Sequence, residues 1–250
     1  MKKCINMLQL KTVAFGLMIL LNLAWCGLIK NSLLQFVLGF LGSISIPLFL
    51  FIMNESLEHT GNITRYMLRV LVLALVSALP YYIVYTDFGS DRIQLGAFLS
   101  SPFTIFYCIG AINLYKKISQ PNIKIIALVF FVLTSWFIGV EWAPYAIILA
   151  FIIHSCNERP NYRDYNIIMF FVVIALVSAV FCFAGSGPSD ELIKNISLSG
   201  VIAGIPLIRM YNGEQGVNDK NRKLMKWSFY VAYPAFLVCI MLIKMILAKG

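Results

Sequence analysis

Glu55 and His59 stand four residues apart in the stretch 42–62, GSISIPLFLFIMNESLEHTGN. At helical spacing they share one face. A histidine beside a carboxylate exchanges protons near neutral pH, so His59 is a candidate general base and Glu55 its orienting partner. The same pair also fits a plain helix end at a membrane surface that contacts Arg65 or Arg69. Asn22, Ser43 and Ser45 are polar groups inside apolar runs, where interhelical hydrogen bonding is worth about 0.6–2 kcal/mol each. Glu141 sits in the turn sequence Glu141-Trp142-Ala143-Pro144, where a carboxylate is expected simply to be solvated. The six cysteines are scattered and form no CxxC pair, which points to packed thiols rather than a disulfide framework or metal site. No phosphate-cradling, zinc-protease or serine-hydrolase motif is present.

The elements that must hold these groups are membrane helices. The chain of 250 residues is 60% hydrophobic and 12% charged, about half the charge of a soluble domain. No polar segment is long enough for a soluble domain, so residues 1–250 read as a single transmembrane domain. Apolar runs of spanning or near-spanning length fall at about 9–29, 33–53, 66–86, 94–114, 123–139, 142–156, 167–185, 192–210 and 227–247. The fifth and sixth runs are short and leave open one long helix or two around Glu141. Basic residues decide between these. With nine spans, fifteen of the twenty Lys and Arg fall at the N-terminus and in the even-numbered loops, and merging the two runs leaves eleven against nine. Cytoplasmic loops concentrate Lys and Arg. The expectation is an all-α integral membrane protein of about nine helices, with its N-terminus cytoplasmic and its C-terminus outside. The formal charge of +9 then sets topology and attracts anionic lipid rather than nucleic acid. Pro47 bends the second helix, and Gly61-Asn62 is a turn signal that ends it.

The residues also carry a resemblance. Leu10-Lys11-Thr12-Val13-Ala14 opens the first helix, and Ile46-Pro47-Leu48-Phe49 lies in the second. Glu55 and His59-Thr60-Gly61-Asn62 follow, then Arg65-Tyr66, Leu68-Arg69, Ser77 and Pro80. Tyr211-Asn212-Gly213-Glu214 precedes the basic loop, and Phe229-Tyr230 with Tyr233-Pro234 lies in the last helix. In order and spacing these fragments resemble the TraX family of polytopic membrane proteins, named for the conjugative-pilin N-acetyltransferase, over nearly the whole chain. The resemblance implies transfer of acetyl from acetyl-CoA to an amino group of a pilin-like or other membrane peptide, in the bacterial inner membrane. It implies that the basic side chains of Arg209, Lys220, Arg222 and Lys223 attract the phosphates of acetyl-CoA.

The chain departs from the family pattern at mid-membrane. Leu21-Asn22 stands where the family carries an Asp-His pair, Ser43 where it carries an Arg, and Phe236 where it carries a His. No general base is left at these positions. Two readings follow: an acetyltransferase relying on His59 and Glu55, or a member without catalysis that binds a membrane partner or lipid as a scaffold or inhibitor. An open polar cavity around Asn22, Ser43 and Phe236 favours the first, and a packed core there favours the second.

Overall fold

A computed structural model describes residues 3–85, 99–142, 144–183, 193, 196–216 and 219–247. The described chain is helical: α1 Met7–Trp25, α2 Ser32–Ser43, α3 Ser45–Glu58, α4 Ile63–Tyr85, α5 Ser101–Lys117, α6 Pro121–Ile138, α7 Tyr145–Ser155 and α8 Pro160–Phe183. A 3-10 helix, Leu198–Ala203, then leads into α9, Gly204–Arg209, and the chain ends in α10, Asp219–Leu247. Among the described residues, five stretches are long and apolar enough to cross a membrane: Met7–Trp25, Ser32–Glu58, Ile63–Tyr85, Pro121–Ile138 and Trp227–Ile246. Their outward faces are apolar. On α4 these are Leu68, Val72, Leu75, Val76 and Leu79, and on α6 Ile125, Ile126, Val129, Phe130, Trp136 and Phe137. Such surfaces suit lipid rather than water.

The helices form two compact units. One holds residues 1–52 and 152–217, the other 53–151 and 218–250.

In the first unit α1 packs on α2, and α2 on the 3-10 helix. Two glycines set these distances. A Cβ on Gly42 would lie 2.4 Å from the Leu21 backbone nitrogen, and one on Gly200 would lie 2.0 Å from the Phe40 carbonyl oxygen. Only a hydrogen fits at either crossing, the small-residue packing common between membrane helices. Near Pro47 the helix is interrupted at one residue, Ile44, between α2 and α3, and the backbone there stays right-handed, with φ −58° and ψ −28°. Proline has no N–H to reach the Ser43 carbonyl, and its ring crowds that group. The hydroxyls of Ser43 and Ser45 donate to the Gly39 and Gly42 carbonyls, both at 2.7 Å. The expected eighth span is likewise not one regular helix, because Pro206 follows the 3-10 turn within α9. The N-terminal segment is pinned to the chain beyond α9: Cys4 and Ile5 donate to the Met210 carbonyl, and Asn212 donates to that of Ile5, each at 2.9 Å.

In the second unit α4 packs against α5 and α10, and α5 against α6. Asn62 caps α4, its side-chain oxygen accepting from the Arg65 N–H at 2.9 Å. The region 123–154 is two helices. Gly139 ends α6 with φ 75°, and Trp142, a non-glycine residue, follows at φ 62° before α7 begins. A reversal this tight needs two left-handed residues within four positions.

Candidate functional site

His59 ends the helical run of α3 in the second unit. Its Nδ1 lies 2.9 Å from the main-chain oxygen of Glu55. A carbonyl accepts only, so this contact places the ring proton on Nδ1 and leaves the Nε2 lone pair unprotonated on the neutral ring. The His59 side chain is 64% exposed, against 15% for Glu55, and the Glu55 carboxylate stays 3.9 Å from Nδ1. Glu55 therefore orients His59 through its backbone rather than its carboxylate. The turn of residues 59–62 leads directly into the first turns of α4, which carry Arg65 and Arg69. The Arg69 Nε donates to the Arg65 carbonyl at 3.2 Å, and its guanidinium lies 6.0 Å from the Tyr66 ring centre.

Of the positions expected to depart from the family pattern, Leu21, Asn22 and Ser43 are buried. Asn22 is 2% exposed and donates to the Met18 carbonyl at 2.8 Å. Ser43 has no exposed surface and is turned back onto its own helix. Leu21 is buried at the tight crossing with Gly42. All three lie in the packed interior of the first unit. Phe236 lies in the second unit, half-buried on α10.

Of the expected phosphate ligands, Arg209 is already engaged. Its Nε pairs with Asp164, and its terminal nitrogen donates to Asn161 at 2.9 Å. Arg163 shares Asp164 from the other side at 3.2 Å and lies 5.7 Å from the centre of the Phe51 ring, on whose edge Tyr211 packs. The side chains of Lys220, Arg222 and Lys223 lie outside the described residues. The Tyr211-Asn212-Gly213-Glu214 stretch is a structural turn: Asn212 Oδ1 accepts from the Glu214 N–H at 2.9 Å, Gly213 sits at φ 86°, and the Glu214 carbonyl accepts from the Met7 N–H at 2.8 Å.

Glu141 is not the solvated carboxylate that its place in a turn suggests. It is half-buried in the second unit and organises a cluster of hydroxyls. Ser101 Oγ donates to its carboxylate at 2.5 Å, and Thr104 Oγ1 donates to its main-chain oxygen at 2.7 Å. The Tyr81 hydroxyl bonds the same carboxylate. Tyr233 lies beside Ser100 and Ser101, within hydrogen-bonding reach of both. The sequence signals were a serine pair before Pro102 and a carboxylate before Pro144. Their convergence needs the turn of residues 139–144 and the start of α5 side by side, which no local pattern announces.

A family model described as TraX protein matches residues 7–244. A curated relative, the probable fimbrial assembly protein FimC, serogroup H1, of Dichelobacter nodosus, is 23% identical over 241 residues, which cover 96% of each chain. No solved structure matches.

Proposed function

The chain belongs to the TraX family, and from that premise we propose that it is an acetyltransferase of the bacterial inner membrane. It moves acetyl from acetyl-CoA to an amino group of a pilin-like or other membrane peptide. The similarity to a fimbrial assembly protein supports a role near pilin. The chain crosses the membrane nine times, with its N-terminus in the cytoplasm and its C-terminus outside. The distribution of Lys and Arg supports this.

The observation that carries the reading is the state of His59, with Nδ1 held by the Glu55 carbonyl and the ring open to solvent. In the transfer, the amine nitrogen bonds to the thioester carbon and the carbon–sulfur bond breaks. His59 Nε2 takes the proton that the nitrogen loses and returns it to the departing sulfur. Arg65 and Arg69, next in the chain, supply positive charge beside it. Lys220, Arg222 and Lys223 supply the remaining charge for the phosphates, while Arg209 serves mainly to pair Asp164.

The test is binding and hydrolysis of acetyl-CoA by the purified protein in detergent. Binding is expected at or below millimolar ligand, and His59→Ala is expected to slow hydrolysis by about 10²-fold or more, the usual contribution of a proton-transfer group. No binding at millimolar acetyl-CoA contradicts the enzyme reading.

One observation favours a second reading. Asn22 and Ser43 close the family's mid-membrane position with packed, back-bonded side chains. A member that binds a membrane peptide or lipid without turning it over fits that closure, and it predicts partner binding with no acetyl-CoA dependence.

A further inference from the structure

We propose that Arg163 and Arg209, oriented by Asp164, form a binding site for the phosphodiester of an anionic membrane phospholipid. All three residues belong to the first unit, and His59 belongs to the second, so this site shares no residue with the proposed proton-transfer group.

The inference starts from a charge that the fold leaves over. Asp164 accepts from the Arg163 Nε on one carboxylate oxygen, at 3.2 Å, and from the Arg209 Nε on the other. Two guanidiniums against one carboxylate leave a net charge of +1. No other carboxylate lies within ion-pair distance of either arginine among the described residues. An uncompensated charge is costly to bury, and the Arg163 side chain is only 5% exposed. Arg163 bonds through Nε alone, so its two terminal nitrogens have no hydrogen-bond partner among the described residues. No Arg163 nitrogen is both enclosed and unpartnered, so these two reach the surface. The Arg209 side chain is 38% exposed and opens the site further. One of its terminal nitrogens is held by Asn161, at 2.9 Å.

That arrangement selects the ligand. A guanidinium is a planar fork of N–H donors with no acceptor, and it matches the paired oxygens of a phosphate. The net charge matches a singly charged phosphodiester. One phosphate oxygen meets the terminal nitrogens of Arg163, and a second meets those of Arg209. The Phe51 ring, its centre 5.7 Å from the Arg163 guanidinium, steadies that side chain. Depth selects a lipid as the source. On α8, Tyr162 and Tyr165 flank the Arg163–Asp164 pair in sequence and are 64% and 60% exposed. Exposed tyrosines mark the headgroup level of a bilayer. One turn further along α8, Ile168, Met169, Val172, Val173 and Leu176 expose apolar surface, which suits acyl chains. The arginine pair thus stands at the level of lipid phosphates.

The experiment is a thermal-unfolding titration of the purified full chain in an uncharged detergent, without acetyl-CoA, at constant ionic strength. Phosphatidylglycerol or phosphatidylcholine is mixed into the micelles at rising fraction, and sodium phosphate is titrated separately. Phosphatidylglycerol is expected to raise the unfolding midpoint saturably. Phosphatidylcholine, whose choline neutralises its own phosphate, and sodium phosphate are each expected to show at most about a tenth of that affinity. Arg209→Gln should weaken the response to phosphatidylglycerol about tenfold or more. Arg209→Lys keeps the charge but loses the fork, and should weaken it several-fold even if Arg209→Gln does not fold. Arg159→Gln removes an exposed arginine just before α8 that has no ion pair among the described residues, and should leave the response within about twofold. An equal response to phosphatidylcholine overturns the role of charge. An equal response to sodium phosphate means a soluble-phosphate site and overturns the lipid assignment. A loss in Arg159→Gln as deep as in the Arg209 variants means diffuse surface charge and overturns the site. No response in the folded wild type, or an undiminished response in the folded Arg209 variants, does the same. None of these readouts involves acetyl transfer, so this proposal and the enzyme reading stand or fall separately.

Discussion

At the scale of single residues, His59 and Glu55 were legible as a pair from their spacing, but the way they meet was not. The main-chain oxygen, rather than the carboxylate, holds Nδ1. Glu55→Gln is therefore expected to keep acetyl-CoA turnover within a few-fold of wild type, while His59→Ala loses about 10²-fold or more. Steady-state hydrolysis by the two variants checks the difference, and a loss in Glu55→Gln as deep as in His59→Ala contradicts it. The role of Asp164 was not legible, because Arg163 is its neighbour in sequence but Arg209 reaches it from 45 residues further along the chain. It is buried, paired with buried Arg163, and also pairs with Arg209. Asp164→Ala leaves a buried guanidinium uncompensated, which costs about 3–5 kcal/mol. A marked fall in the unfolding midpoint in detergent is expected, and a midpoint near wild type contradicts a stabilising role.

At the scale of elements, the apolar runs located the helices well, because length and hydropathy are local properties. The break between α6 and α7 followed from charge counting and is present as a turn through Gly139 and Trp142. The interruption at Ile44 lies three residues before the proline that the sequence pointed to. Pro47 gave the signal, and beside it the Ser43 and Ser45 hydroxyls donate to the Gly39 and Gly42 carbonyls. Helix crossings were invisible in the sequence, since Gly42 and Gly200 look like any other glycine in an apolar run. Each stands where a methyl group would strike main-chain atoms. Gly200→Ala and Gly42→Ala are each expected to destabilise by about 1–3 kcal/mol, the usual cost of overpacking. Gly16→Ala is the control, because a Cβ there meets nothing within 4 Å. Thermal midpoints of the three variants give the comparison, and equal midpoints contradict the packing account.

At the scale of the whole molecule, the family assignment spans residues 7–244, which takes in most of both compact units. The proposed nine-span arrangement makes one clear demand on the chain ends. An alkaline phosphatase fused after Gly250 is expected to be active in cells, because that enzyme works only outside the cytoplasm, and one inserted after Gln120 is expected to be inactive. The reverse pattern contradicts the topology. The function turns on whether acetyl reaches an amine. The direct measurement reconstitutes the protein in lipid vesicles with radiolabelled acetyl-CoA and a membrane peptide bearing a free N-terminal amine, and counts label stably bound to the peptide. The account predicts label with wild type, comparable label with Glu55→Gln and almost none with His59→Ala. Label no higher than in vesicles without protein, or undiminished in His59→Ala, contradicts it.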